Sequence, residues 1–308
     1  MFATVGDMKT TSDIIRKARE LGLGLPAFNI AHLPMTEPVV RAVRDQDSFA
    51  LLEVSRIDWV KFGAQSPAAV IGEFNKWNDP QHVRIHLDHV PVIDEDQKKV
   101  DYRAIIAEAI ALGYQSVMID ASRLSLEDNI RATREVADLA HASGIPVESE
   151  LGAVLGHEAG PLPPYEELFK SGKGFTRPEE ATRFVKESGC DWLSVAIGNI
   201  HGAVGDATKD QKKLEARLSL DHLQTLSKAT GIPLVLHGGS GIRREDMLAS
   251  MKKGIAKVNV GTEIRQAYEQ ALKATGSVKA AQDAVYERTV YLIKDWFGLN
   301  GIRAKILG

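Results

Sequence analysis

The stretch KATGIPLVLHGGSGIRRED (228–246) holds one complete structural unit. A helix-like tail ends at Gly231, the apolar run PLVLHGG (233–239) follows, and a polar helix-like segment opens near Arg243–Glu245. Glycine closes helices because it accepts the left-handed conformation after the C-cap. A short run that is apolar on both faces fits a strand of a buried parallel sheet. The same order recurs in both directions along the chain. Gly22 precedes LPAFNI (25–30), Gly113 precedes SVMIDAS (116–122), and Gly144 precedes PVESELG (146–152). Gly189 precedes WLSVAIG (192–198), and Gly254 precedes KVNVGT (257–262). FALLEVS (49–55) and HVRIHLDHV (82–90) bring the set to eight.

Eight strands alternating with amphipathic helices fit an open doubly wound sheet or a closed barrel. The number and the chain length favour the barrel. The expected fold is therefore α/β, a (β/α)8 TIM barrel forming a single domain over residues 1–308. A long loop follows strand 5, from about Gly156 to Lys173, and a helical extension ends the chain. Loops of that length in compact domains are usually lids or binding loops. Thr176 and Glu179 are placed as a capping box, with Ser125 and Ser219 as further caps.

Composition narrows the class. Of 308 residues, 38 are Lys or Arg and 41 are Asp or Glu, a net charge of -3 that gives no electrostatic case for nucleic acid. The single cysteine, Cys190, excludes an intramolecular disulfide and fits a reducing compartment. It falls where a small buried thiol would pack. The opening MFATVGDMKTTSD lacks the apolar core of a signal peptide, and no apolar stretch is long enough for a membrane span. A cytoplasmic protein with no nucleic-acid or membrane partner is expected.

In such a barrel, chemistry sits at the C-terminal ends of the strands. Asn29, Ser55, Asp88–His89, Asp120 and Ser122 fall there, with Asn199, His201, His237, Asn259 and Thr262 at the later ends. Glu148 and Glu150 lie within strand 5, where at least one is expected to support ligands from behind. His32, His82, His141, His157 and His222 read as solvent-facing, and His86 as a core histidine or a ligand. His89, His201 and His237 come from three strand ends, and three imidazoles with an open fourth position make a catalytic zinc site. The run HGGSG (237–241) lets backbone N–H groups approach an anion ahead of a helix N-terminus, as a phosphate cradle requires.

The motifs AFN (27–29), HLDH (86–89), MIDAS (118–122), VESELG (147–152), GNIHG (198–202), LHGGSG (236–241) and VNVGTE (258–263) resemble, in order, those of class II fructose-bisphosphate and tagatose-bisphosphate aldolases. The resemblance runs from about Gly22 to WFGLNG (296–301). It implies a metal-dependent carbon–carbon lyase of carbohydrate metabolism, cleaving a ketose phosphate to dihydroxyacetone phosphate and an aldehyde. Fructose 1,6-bisphosphate, giving glyceraldehyde 3-phosphate, is the default substrate. The resemblance also implies Zn²⁺, with Co²⁺ or another divalent ion as substitutes, a monovalent cation, and a homodimer or homotetramer.

Position by position, it implies that His89, His201 and His237 bind the metal. Asp88 handles the substrate hydroxyl proton at the breaking bond, and Glu158 exchanges the proton at the dihydroxyacetone carbon. Gly202, Gly238, Ser240 and Thr262 hold phosphate, Asn259 contacts the substrate near its carbonyl, and Asn29 and Ser55 line the pocket. The chain departs from the family after Gly202, where Ala203–Val204–Gly205 replaces an aromatic residue and a phosphate-binding lysine. Near Ala274–Gly276 it lacks the Asp-Pro-Arg run whose arginine reaches a second phosphate; Arg56, Arg123 and Arg288 stand as substitutes. A ketose 1-phosphate with an unphosphorylated aldehyde half, and a noncatalytic sugar-phosphate-binding barrel, are the alternatives. A Schiff-base aldolase would need a desolvated lysine; strands 6 and 7 hold none, and Lys257 reads as the start of strand 8.

Overall fold

The computed structural model describes residues 9–152, 165–199, 216–239 and 241–308. Glu158, His201, Gly202 and Ser240 of the expected site lie outside them, as does His157. The strands are β1 (Leu25–Asn29), β2 (Ala50–Ser55), β3 (Val83–Pro91), β4 (Val117–Asp120), β5 (Val147–Leu151), β6 (Trp192–Val195), β7 (Leu234–Leu236) and β8 (Ile255–Val260). They form a closed barrel in sequence order, every pair parallel, with β8 returning to β1 through Leu25↔Lys257 and Ala27↔Asn259. This is the expected (β/α)8 barrel. Gly22, Gly113, Gly189 and Gly231 all close helices in the left-handed conformation, which is why the glycine-then-strand pattern marks the topology.

Helices Thr262–Thr275 and Val278–Tyr291 extend the barrel at its C-terminal end, and the second packs against both the first and helix Thr36–Asp45. The aromatic-rich YERTVYLIKDWF segment continues from that helix into a π-helical turn over Leu292–Trp296.

Local details depart from the sequence reading in four places. The long connection after β5 contains a helix, Tyr165–Ser171. Helix Pro178–Ser188 starts after Arg177 with no side-chain cap, because the Thr176 hydroxyl is used elsewhere: it donates to the Leu151 carbonyl and accepts from the Ala196 N–H at 2.8 Å. Ser125 caps its helix through the Asp128 N–H, whereas Ser219 makes no such bond. His82, expected in solvent, is buried with Nδ1 3.0 Å from the Ser48 carbonyl oxygen. Cys190 is buried as expected.

Candidate active site

One cavity opens at the C-terminal mouth of the barrel. Its wall includes Asn29, Ser55, Asp88, His89, His237, Gly238, Asn259 and Thr262. Residues from β1, β2, β3 and β8, and from the segments after β7 and β8, thus meet around one space.

A fault in the strand pattern brings Asp88 and His89 there together. Consecutive strand residues normally face opposite sides of a sheet. The register of β3 on β4 runs Leu87↔Val117 and then Val90↔Ile119, so β3 carries one extra residue between these pairs. His89 takes φ +33°, unusual for a residue with a Cβ. The bulge turns both side chains into the cavity, and such backbone strain costs about 1–3 kcal/mol.

The two histidine rings contact each other, with centroids 4.4 Å apart. Asp88, His89 and His237 each offer a ligand-type atom, and the three atoms lie within 4.8 Å of one another. Carboxylates orient both rings. His237 Nε2 is 2.8 Å from Glu148 Oε1, and its Nδ1 is 3.1 Å from Glu150 Oε2. His89 Nδ1 is 3.3 Å from Asp120 Oδ2, while Asp120 Oδ1 accepts from the Ser122 hydroxyl at 2.6 Å. Both strand-5 glutamates therefore reach the same histidine. A carboxylate behind each imidazole is the usual support of a metal ligand.

Charge follows from these contacts. Burial disfavours a protonated His89, yet the Asp88 charge and the Asp120 hydrogen bond raise it to about 10. Burial and the His89 charge oppose protonation of His237, but hydrogen bonds to Glu148 and Glu150 raise it to about 9. Surroundings that pull protons onto two touching imidazoles demand positive charge at that point. A divalent cation meets the same demand and displaces those protons. The donor set therefore fits a metal ion.

Asp88 is held as an anion. Its Oδ2 accepts from Asn29 Nδ2 and its Oδ1 from Asn259 Nδ2, both at 3.0 Å. Burial alone would raise its pKa, but the charges of His89, Lys257, His237 and His86 outweigh burial and lower it. Ser55 lines the wall with its hydroxyl donated to Asp58 at 2.7 Å, capping helix Arg56–Lys61.

Glycines shape the opposite wall. Gly238 takes φ +70°, and a Cβ on Gly239 would lie 2.7 Å from the Asn259 carbonyl oxygen, so only glycine fits this approach to β8. Helix Thr262–Thr275 begins at the same wall, and Asn199 ties the end of β6 to the His237 carbonyl at 3.1 Å. Of the three arginines named as substitutes, Arg56 and Arg123 line the cavity. Both are tethered to Asp94, through its carboxylate at 3.3 Å and its carbonyl at 3.1 Å. Arg288 instead pairs with Glu263 at 2.6 Å. Arg265, unnoticed in the sequence, is buried and lines the cavity one turn beyond Thr262; that helical spacing was the available signal.

The sequence reading also misplaced Lys257. It is the third residue of β8, not the first, and is fully buried inside the barrel. Its Nζ lies 2.9 Å from Glu53 Oε2, 3.0 Å from Glu148 Oε2 and 2.6 Å from Asn259 Oδ1. Burial opposes its charge, but Glu148 and Glu53 raise its pKa further. An ammonium so held is no Schiff-base nucleophile. Glu53, also unnoticed, is pushed up to about 8 by burial and by Asp88. His86 is fully buried: burial and Lys257 lower it to about 3, its Nδ1 sits 2.8 Å from Ser116 Oγ, and it offers a ligand-type atom within 4.8 Å of those of Glu53 and Asp88.

Known proteins share this architecture and sequence. Residues 9–301 match the family model "Fructose-bisphosphate aldolase class-II". A fructose-bisphosphate aldolase of Streptococcus pneumoniae serotype 4 is 33% identical over 293 residues, covering 94% of this chain and 91% of its own length. That of Streptococcus pyogenes serotype M1 is 33% identical over 276 residues, covering 89% and 85%. The crystal structure of the YdjI aldolase from Escherichia coli K12 superposes with a TM-score of 0.73 at 29% identity, covering 94% of this chain and 97% of that one. The fructose-bisphosphate aldolase of Campylobacter jejuni, 18% identical, shares the fold with a TM-score of 0.71 over 97% of this chain and 99% of its own. The chain belongs to the class II fructose-bisphosphate aldolases, a family of metal-dependent lyases.

Proposed function

We propose that this protein cleaves fructose 1,6-bisphosphate reversibly to dihydroxyacetone phosphate and glyceraldehyde 3-phosphate, as one (β/α)8 domain using Zn²⁺. The observation that carries the reading is the convergence of Asp88, His89 and His237, whose ligand-type atoms lie within 4.8 Å of one another. His89 and His237 hold the metal together with His201, which lies outside the described residues. When bound, the ion draws electron density from the ketone and steadies the negative charge left beside it, as a Lewis acid does.

The remaining work falls to side chains of this chain. Asp88 is an anion whose two oxygens are oriented by Asn29 and Asn259, and it accepts the C4 hydroxyl proton as the C3–C4 bond breaks. Glu158, from the long connection after β5, returns a proton to the dihydroxyacetone carbon. Gly202, Gly238, Ser240 and Thr262 bind the phosphate of that half, beside the N-terminus of helix Thr262–Thr275. Asn259 contacts the substrate near its carbonyl, and Ser55 lines the aldehyde side. Arg56 and Arg123, on the cavity wall and neither at the position of the family's arginine, supply cationic groups for a second phosphate. They favour the bisphosphate over a ketose 1-phosphate. A homodimer or homotetramer in the cytoplasm, with a monovalent cation bound, completes the proposal.

The test is a panel of ketose mono- and bisphosphates offered to the zinc-loaded protein, with dihydroxyacetone phosphate measured by a coupled assay. Release from fructose 1,6-bisphosphate supports the reading. Release from a ketose 1-phosphate alone would overturn the substrate, and no release from any member would overturn the reaction.

A further inference from the structure

A cluster of titratable side chains lies in the barrel beneath the cavity, and the mechanism above gives Lys257, Glu53 and His86 no part. Lys257, Glu53, Glu148 and His86 are each fully buried. Lysine has three N–H donors and no acceptor. At Lys257 the carboxylate oxygens Glu53 Oε2 and Glu148 Oε2 lie within 3.0 Å as ion-pair partners, and Asn259 Oδ1 accepts a hydrogen bond at 2.6 Å.

The third contact decides an orientation. The oxygen and nitrogen of an asparagine amide are interchangeable in shape, and only hydrogen bonding distinguishes them. Because the ammonium can only donate, it accepts nothing but the amide oxygen as neighbour, here at 2.6 Å. The amide NH2 of Asn259 is thereby turned outward, where it donates to Asp88 Oδ1 at 3.0 Å. Reversed, the amide would set its oxygen against the Asp88 carboxylate and its NH2 against a cation.

We propose that Lys257 is a positioning residue for carbon–carbon cleavage: from inside the barrel it fixes the Asn259 amide so that its NH2 faces Asp88 and orients the carboxylate that takes the hydroxyl proton. This rests on the role assigned to Asp88 above. Lys257 is fully buried beneath the cavity and acts through Asn259. Its contact with Glu148, which supports His237, joins the same ammonium to the metal side of the site.

The test uses the full-length, zinc-loaded protein with Lys257→Met, and with Lys257→Met/Glu53→Gln, which gives the vacated space an amide donor where removal of the cation alone unfolds the chain. Melting temperature, bound zinc, kcat and KM are read together. The expected result is a folded, zinc-replete variant with KM little changed and kcat lowered about 10- to 100-fold, the scale of a misplaced reacting group. Adding Asn259→Ala to Lys257→Met should then cost no more than Asn259→Ala alone, since residues acting through one another are not additive. A folded variant with wild-type kcat would overturn the proposal, as would losses that multiply. Wild-type protein assayed alongside separates the two ideas: if it does not cleave substrate, the reaction itself is wrong, whereas normal wild-type turnover with an unaffected variant refutes only Lys257.

Discussion

Asp88 and His89 are consecutive residues of β3, and both face the same cavity. A regular strand would put one of them outside the barrel. The single extra residue between Leu87 and Val90 places a carboxylate and an imidazole side by side, the pairing on which the proposed cleavage rests.

Asp88→Asn keeps the shape of that pair and removes its basicity. Turnover should fall by about 10²–10⁴-fold, the usual worth of a positioned acid or base, while bound zinc stays at the wild-type level. Initial rates of cleavage together with metal analysis check this. Wild-type turnover would assign the proton to another group.

Chelation should abolish cleavage, and Zn²⁺ or Co²⁺ should restore it. Because the ion binds the folded protein, its removal should also lower the melting temperature; at about 100 times its dissociation constant a bound ligand contributes about 2.7 kcal/mol. Calorimetry with and without metal gives the shift. Full activity after exhaustive chelation would contradict the assignment.

Glu148→Gln leaves His237 in place and weakens the charge behind it. Loss of such a partner typically costs about 10- to 100-fold in metal affinity. Competition against a chromophoric chelator measures the change, and an unaltered affinity would mean that Glu148 serves Lys257 and Trp192, whose indole N–H donates to Glu148 Oε2 at 2.7 Å, rather than the metal.

Burial pushes the Cys190 thiol up to about 12 from an ordinary 9.0. Its acid form is thus favoured in the folded protein. The stabilisation is complete below the unfolded value and is lost as pH rises towards the folded one. At pH 8 the native thiol should react with a disulfide reagent far more slowly than the same thiol in denaturant, because the thiolate is the nucleophile. Equal rates would show that the thiol is accessible.

The barrel was readable because its signals are local and repeated: a left-handed glycine, then a short apolar run. His89 and His237 were readable as cavity residues because a barrel gathers strand ends. What escaped has different causes. The bulge at His89 changes a side chain's direction without any mark in composition. Lys257 and Glu53 sit within apolar runs, where a charge looks like a strand boundary until eight strands close around it. Arg265 lies one helical turn past a recognised glycine–threonine turn, among many surface arginines. Thr176 has the spacing of a cap and spends its hydroxyl on neighbouring strands instead.

The plug inside the barrel also bears on product release. Lys257, Glu53 and Glu148 are fully buried there, so among the described residues the cavity rests on packed side chains. Substrate and the fragment released last therefore occupy the same cavity, and that fragment should act as a competitive inhibitor of the forward cleavage.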